Sequence, residues 1–239
     1  AGDSYYEISS NLIEGIGYSI AHEPPYTITS YRTPGMPYFI ALVYFLFGSY
    51  FAVILVHIII GSVVPLLGMR IARYITEVRG ISIAVGVFLA IEPTSILFST
   101  VLLSEILFTF LFLLSLVFLF RYWKERRMVW LLASSFILGL STLTRPTVLY
   151  LPIIMVALLI WEARFQLSRT VFMRVGLYVL VFATTLSPWI YRNYQSFGVF
   201  GLSSQQGTAL YVITVPSVLA IENGTSFSQE YNKNIAGPN

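Results

Sequence analysis

Apolar residues run in long blocks along this chain, separated by short polar connectors, and the lengths of the blocks predict helices rather than strands. A helix needs about 20 residues to cross a hydrocarbon core. Runs near that length occupy residues 50–69, 81–98, 100–122, 128–144, 147–161 and 172–189, the fifth of them short. A further apolar piece, 37–47, is too short to cross alone and stops at Gly48, which predicts an interfacial or re-entrant helix. Near the N-terminus, Ser4-Tyr5-Tyr6-Glu7 fits a capping box, and Tyr5, Ile8, Leu12 and Ile16 recur at helical spacing before Gly15 and Gly17 end the helix. The expected fold is all-α: a polytopic membrane protein of about six transmembrane helices with interfacial helices on one face. Residues 1–36 form a loop with an amphipathic helix, 37–194 the membrane core, and 195–239 a tail on the same face as the first loop.

Composition strengthens the membrane reading. The chain is 56% hydrophobic, 16% aromatic and only 10% charged, outside the range of soluble domains. It has no cysteine, which excludes a disulfide framework or a thiolate metal site. A net charge of +3 would suit nucleic acid, but the positions of the basic residues argue otherwise. Arg70, Arg73 and Arg79 share one connector; Arg121, Lys124, Arg126 and Arg127 share another; Arg164, Arg169 and Arg174 lie in a third. Two spans separate each from the next, so the positive-inside rule makes these connectors cytoplasmic. The opening AGDSYY has neither signal peptide nor initiator methionine, and the chain closes in the polar run FSQEYNKNIAGPN, so we expect a piece of a longer protein.

The opposite, outer face then carries few basic residues, namely Arg32, Arg145, Arg192 and Lys233, among most of the acids. An arginine placed there against the bias either snorkels or binds an anion. Arg145, in LSTLTRP, ends one span just before Pro146, so a turn fixes its guanidinium near the interface; lipid phosphate, Glu92 and Glu105 are its candidate partners. Arg192 follows an aromatic belt of Trp189, Tyr191 and Tyr194, where snorkelling is the commoner role. Glu105 is placed about one and a half turns into its span, where a carboxylate needs a cavity or a partner. Asp3 precedes a helix, either as a charge favourable to the dipole or as a reactive group. His57 reads as a buried, hydrogen-bonded residue, and two histidines make no metal motif.

Five stretches in order, GDSYYEISSNLIEGIGYSI, YRTPGMPYFIALVYFLFG, LLSEILFTFLFLL, GLSTLTRPTVLYLP and SPWIYRNYQSFGVFGLSSQQGTALY, give the chain a resemblance to bacterial glycosyltransferases of the protein mannosyltransferase and aminoarabinose transferase type, in the GT-C class. The resemblance implies transfer of a sugar from a polyprenyl-phosphate donor to a lipid, protein or glycan acceptor on the extracytoplasmic side of a bacterial or archaeal membrane. It implies Asp3 as catalytic base, Arg32 and Arg145 on the donor phosphate, and Glu105, Tyr6 and Arg192 in the substrate pocket. Many relatives have Asp-Glu at Asp3-Ser4, and some have an acidic metal ligand at Tyr31; the departures leave a divalent cation an open question. The partners expected are lipid and sugar donor, not nucleic acid. A transporter or lipid flippase is the alternative, against which stand the absence of a visible inverted repeat and the gathering of charge at one face.

Overall fold

The computed structural model describes residues 4–162, 164 and 168–236. It is helical throughout, without a named strand among the described residues; Ser19 and Ile28 make a single antiparallel bridge. The order is α1 (Tyr5–Ile13), α2 (Gly35–Phe47), α3 (Tyr50–Ile75), α4 (Arg79–Ala90), α5 (Pro93–Ser99), α6 (Ser104–Glu125), α7 (Met128–Thr144), a 3-10 turn (Pro146–Val148), α8 (Leu151–Glu162), α9 (Arg169–Phe197), α10 (Gln205–Ala209), a π turn (Leu210–Thr214), α11 (Val215–Asn223) and α12 (Phe227–Ala236).

The all-α, polytopic architecture stands, with fewer full-length spans than the apolar runs suggested. Among the described residues three helices are long and apolar enough to cross a membrane: α3 with 26 residues, α6 with 22 and α9 with 29. A fourth crossing exists if α4 and α5, bent by 53° at their junction, act together. Proline causes that break: it cannot extend α4, so Pro93 starts a new helix instead, and Glu92 caps it by accepting from Thr94 N at 2.9 Å and Ser95 N at 2.6 Å. The α7 helix has 17 residues, about 26 Å of rise, and the 146–162 run is divided by its own 3-10 turn. Hydropathy measures how far an apolar run extends, not where turns interrupt it.

Other local expectations divide in the same way. Gly48 does end α2, with φ 67° and its N–H bonded to Tyr44 O, a left-handed cap that suits glycine. Ser4 is no capping-box residue: it sits at φ 62° and its side chain makes no cap hydrogen bond. The α6 helix begins at Ser104, because residues 100–103 form a turn. Glu105 is therefore in the first turn of its helix, not one and a half turns inside it.

Neighbouring helices antiparallel to one another bring all three basic connectors to one end of the bundle. Arg126 at the end of α6 pairs with Glu162 at the end of α8, and Tyr74 stacks on Phe120 with ring centroids 5.6 Å apart. Core residues Leu119, Tyr122, Leu131, Leu138, Tyr178 and Leu186 join α6, α7 and α9. Only 22–28% of the apolar window of each long helix is buried, and Phe45, Phe51, Phe88 and Phe172 stand outward, as lipid-facing side chains do. The other end of the bundle is built differently. There α1, the 18–33 loop and the chain after α9 fold over the helix ends.

Candidate functional site

Three long-range contacts draw residues distant in sequence onto that end. Thr33 donates from Oγ1 to Thr144 O at 2.8 Å; Tyr5 donates from its hydroxyl to Ser104 Oγ at 3.1 Å; Arg145 Nη1 meets Glu105 Oε1 at 2.5 Å. Between them lies a cavity of about 230 Å³, lined by Tyr5, Arg32, Thr33, Ser104, Glu105, Thr144, Arg145, Pro146, Thr147, Ser203 and Gln205.

Each charged side chain owes its place to local backbone. Arg145 follows the last residue of α7 in an extended conformation, φ −142° and ψ 124°, and Pro146 then opens the 3-10 turn. This single extended residue swings the guanidinium off the helix axis into the cavity. Glu105 faces it from the first turn of α6, where the helix dipole favours a carboxylate. Glu105 Oε2 is buried with no hydrogen-bond partner among the described residues, so the carboxylate spends one oxygen on Arg145 and keeps one unspent. Arg32 packs against two tyrosines, its guanidinium carbon 4.9 Å from the Tyr5 ring centroid and 5.1 Å from that of Tyr31.

The loop that carries Arg32 is held from below. Tyr18 is buried, and its hydroxyl donates to both Arg32 O at 3.1 Å and Thr33 O at 3.0 Å. Burial, with the Tyr38 phenol next to it, pushes the Tyr18 hydroxyl well above its ordinary range, so it remains a protonated donor. Tyr18→Phe keeps the ring packing and removes only that donor, leaving buried carbonyls short of a partner at a cost of about 1–3 kcal/mol. The expected result is a lower unfolding midpoint, checked by thermal unfolding of the two proteins.

Arg192 also serves this loop. It donates to Thr29 O at 2.7 Å and packs on the rings of Tyr18, Trp189 and Phe197, at 4.8–5.3 Å. It lies outside the cavity lining, as does Tyr6, whose ring is half-exposed and packs 5.0 Å from that of Tyr50. The pocket tyrosine is Tyr5. The helical spacing already held that signal, because Tyr5 shares a face of α1 with fully buried Ile8, while its neighbour Tyr6 points elsewhere. Asp3 lies outside the described residues; it directly precedes Ser4, one residue before the helix that carries Tyr5. Ser203 and Gln205 gave no periodic signal, since they sit in a short polar run whose position only tertiary packing defines.

His57 is buried with Nδ1 3.2 Å from Ser99 O, away from the cavity. A carbonyl only accepts, so Nδ1 carries the proton. Among the described residues no three His, Asp or Glu side chains gather as a metal site.

Comparison with known proteins identifies the family of the chain. The chain matches the family model of dolichyl-phosphate-mannose-protein mannosyltransferase over residues 31–191. It belongs to this family. The protein is accordingly a membrane glycosyltransferase of the GT-C type, and the matched region includes Arg32, Glu105 and Arg145. No curated protein and no solved structure matches the chain. Two parts of the cavity lie outside the matched region: Tyr5 before it, and Ser203 and Gln205 after it.

Proposed function

We propose that this mannosyltransferase-family protein moves a sugar from a polyprenyl-phosphate donor to an acceptor at the extracytoplasmic face of the membrane. The observation that carries the proposal is the cavity that gathers Arg32 and Arg145, from segments more than a hundred residues apart, at the end of the bundle opposite the basic connectors. Two guanidiniums at a membrane interface fit a lipid-linked phosphate, because charge-assisted hydrogen bonds strengthen where water is partly excluded. Arg145 is paired with Glu105, so a donor phosphate would compete with that carboxylate. Glu105 is then released toward substrate hydroxyls, for which its second oxygen is already unspent.

In the transfer, the acceptor's hydroxyl or amine attacks the anomeric carbon and the bond from that carbon to the phosphate oxygen breaks. The electron pair leaves with polyprenyl phosphate, where Arg32 and Arg145 stabilise the charge as it develops. Asp3 takes the acceptor's proton, and the single displacement inverts the anomeric centre. The transporter alternative finds no support in the charge distribution, since the charged cavity lies at one end and not at mid-depth.

The test supplies the full-length protein with a labelled polyprenyl-phosphate sugar in membranes and compares wild type with Asp3→Asn. Transfer by wild type and a loss of about 10²–10⁴-fold in the variant is the expected result. Unchanged transfer by a folded Asp3→Asn protein removes Asp3 as the base, and no transfer by wild type from any polyprenyl-phosphate sugar contradicts the proposal as a whole.

A further inference from the structure

The cavity has a second, uncharged wall, and most of its hydrogen-bonding groups are already committed. Thr33 Oγ1 donates to Thr144 O, and Thr144 Oγ1 donates to Leu140 O at 2.9 Å. Ser203 Oγ donates to Tyr31 O and accepts from Gln205 N at 3.0 Å. What remains is the Gln205 side-chain amide and the Thr147 hydroxyl, neither of which makes a hydrogen bond among the described residues, and the hydroxyl proton of Ser104. The amide offers two donors and an acceptor, the hydroxyl one donor and two lone pairs. These groups are neutral and bidirectional. They suit a ligand rich in hydroxyls, which both donates and accepts.

The segment that presents Gln205 is firmly seated although it follows the family-matched region. Trp189 Nε1 donates to Leu202 O at 2.8 Å, Asn193 Nδ2 donates to Gly201 O at 2.8 Å, Ser204 N donates to Ser30 O at 2.9 Å, and Leu202 is buried. The contact to Ser30, with that of Ser203 to Tyr31, fixes the segment against the same loop that carries Arg32. Gln205 and Arg32 therefore stand on two segments joined directly to each other across the cavity. Its volume of about 230 Å³ can seat a monosaccharide ring beside the two arginines.

We infer that Gln205, held by the 201–205 segment, is a specificity residue that reads the hydroxyls of the donor's single sugar ring. Thr147 and Ser104 complete this wall, and Arg32 and Arg145 grip the adjoining phosphate. The inference rests on the donor assignment proposed above, and the experiment separates the two.

Dissociation constants are measured for the full-length protein in nanodiscs with two kinds of probe: polyprenyl phosphate without sugar, and polyprenyl-phosphate hexoses differing at one hydroxyl-bearing centre. Wild type is expected to bind one of the hexose probes about tenfold more tightly than the sugar-free lipid. In Gln205→Ala that ratio falls at least about threefold, while affinity for sugar-free polyprenyl phosphate stays within about twofold. Retention of the full ratio in Gln205→Ala overturns the inference. So does a parallel loss of affinity for both probes, which would make the amide a support for the site and not a reader of the sugar. Absence of any sugar increment in wild type that still binds polyprenyl phosphate overturns the inference and leaves the donor reading standing. Failure of wild type to bind polyprenyl phosphate at all overturns the donor reading and the inference with it.

Discussion

Arg145→Ala is expected to lower kcat/KM for the proposed lipid-linked donor by about 10²–10³-fold, the usual cost of removing a preorganised group from a site of developing negative charge. The expectation follows from where the guanidinium stands. It projects from an extended residue between α7 and a 3-10 turn, its Nη1 2.5 Å from Glu105 Oε1, in a cavity it shares with Arg32. Arg145→Lys keeps the charge but loses the planar fork, and should fall between wild type and alanine. Both are measured as initial rates of labelled-sugar transfer, with thermal unfolding of the same preparations as the control for folding. A rate loss matched by unfolding would point to the Arg145–Glu105 pair as a structural tie instead.

Gly35→Ala is expected to disable the site without touching a charged group. Gly35 opens α2 directly against the end of α7. A methyl there would lie 2.7 Å from Thr144 Cα and 2.8 Å from Thr144 N, and the backbone of a packed helix end cannot move aside as a side-chain tip can. Overpacking of this kind costs about 1–3 kcal/mol, more than the roughly 0.5–1 kcal/mol that alanine returns in helix propensity. The strain falls on a sensitive place. Thr144 accepts the Thr33 hydrogen bond and precedes Arg145, while Thr33 follows Arg32, so forcing α2 from α7 separates the two arginines. A shift of the order of 1 Å in a positioned group costs up to about 10²-fold in rate. The expected outcome is a lowered unfolding midpoint with a transfer rate reduced further than the loss of folded protein explains.

Much of the helical layout was legible in the chain because it depends on local chemistry. Gly48 stops α2 as a left-handed cap, and the grouping of basic residues in alternate connectors foretold which helix ends lie together. Arg145 and Glu105 were singled out for standing where charge is expensive, and they are found in contact. What the chain concealed depended on tertiary placement. An apolar run does not announce that Pro93 will break it, nor that residues 100–103 will turn and leave Glu105 at a helix start. The capping-box pattern at Ser4 to Glu7 was a match of residue types without the geometry. Adjacent tyrosines on α1 look alike in sequence, yet about 100° of helical rotation sends Tyr5 to the cavity and Tyr6 to Tyr50. Arg192, read as snorkelling or substrate-binding, braces the Arg32 loop through Thr29 O and three rings. Gln205 reaches the cavity because Trp189 and Asn193 hold the backbone just before it, a relation that periodicity cannot express.

In the proposed reading Arg32 and Arg145 together hold the phosphate of a lipid-linked donor. Binding of sugar-free polyprenyl phosphate to wild type, Arg32→Ala and Arg145→Ala, each folded and reconstituted in nanodiscs, tests it without requiring the acceptor or the sugar to be known. Each substitution is predicted to weaken binding by about 10–100-fold, the loss of a charge-assisted contact. Affinity within about twofold of wild type in both folded variants would contradict it.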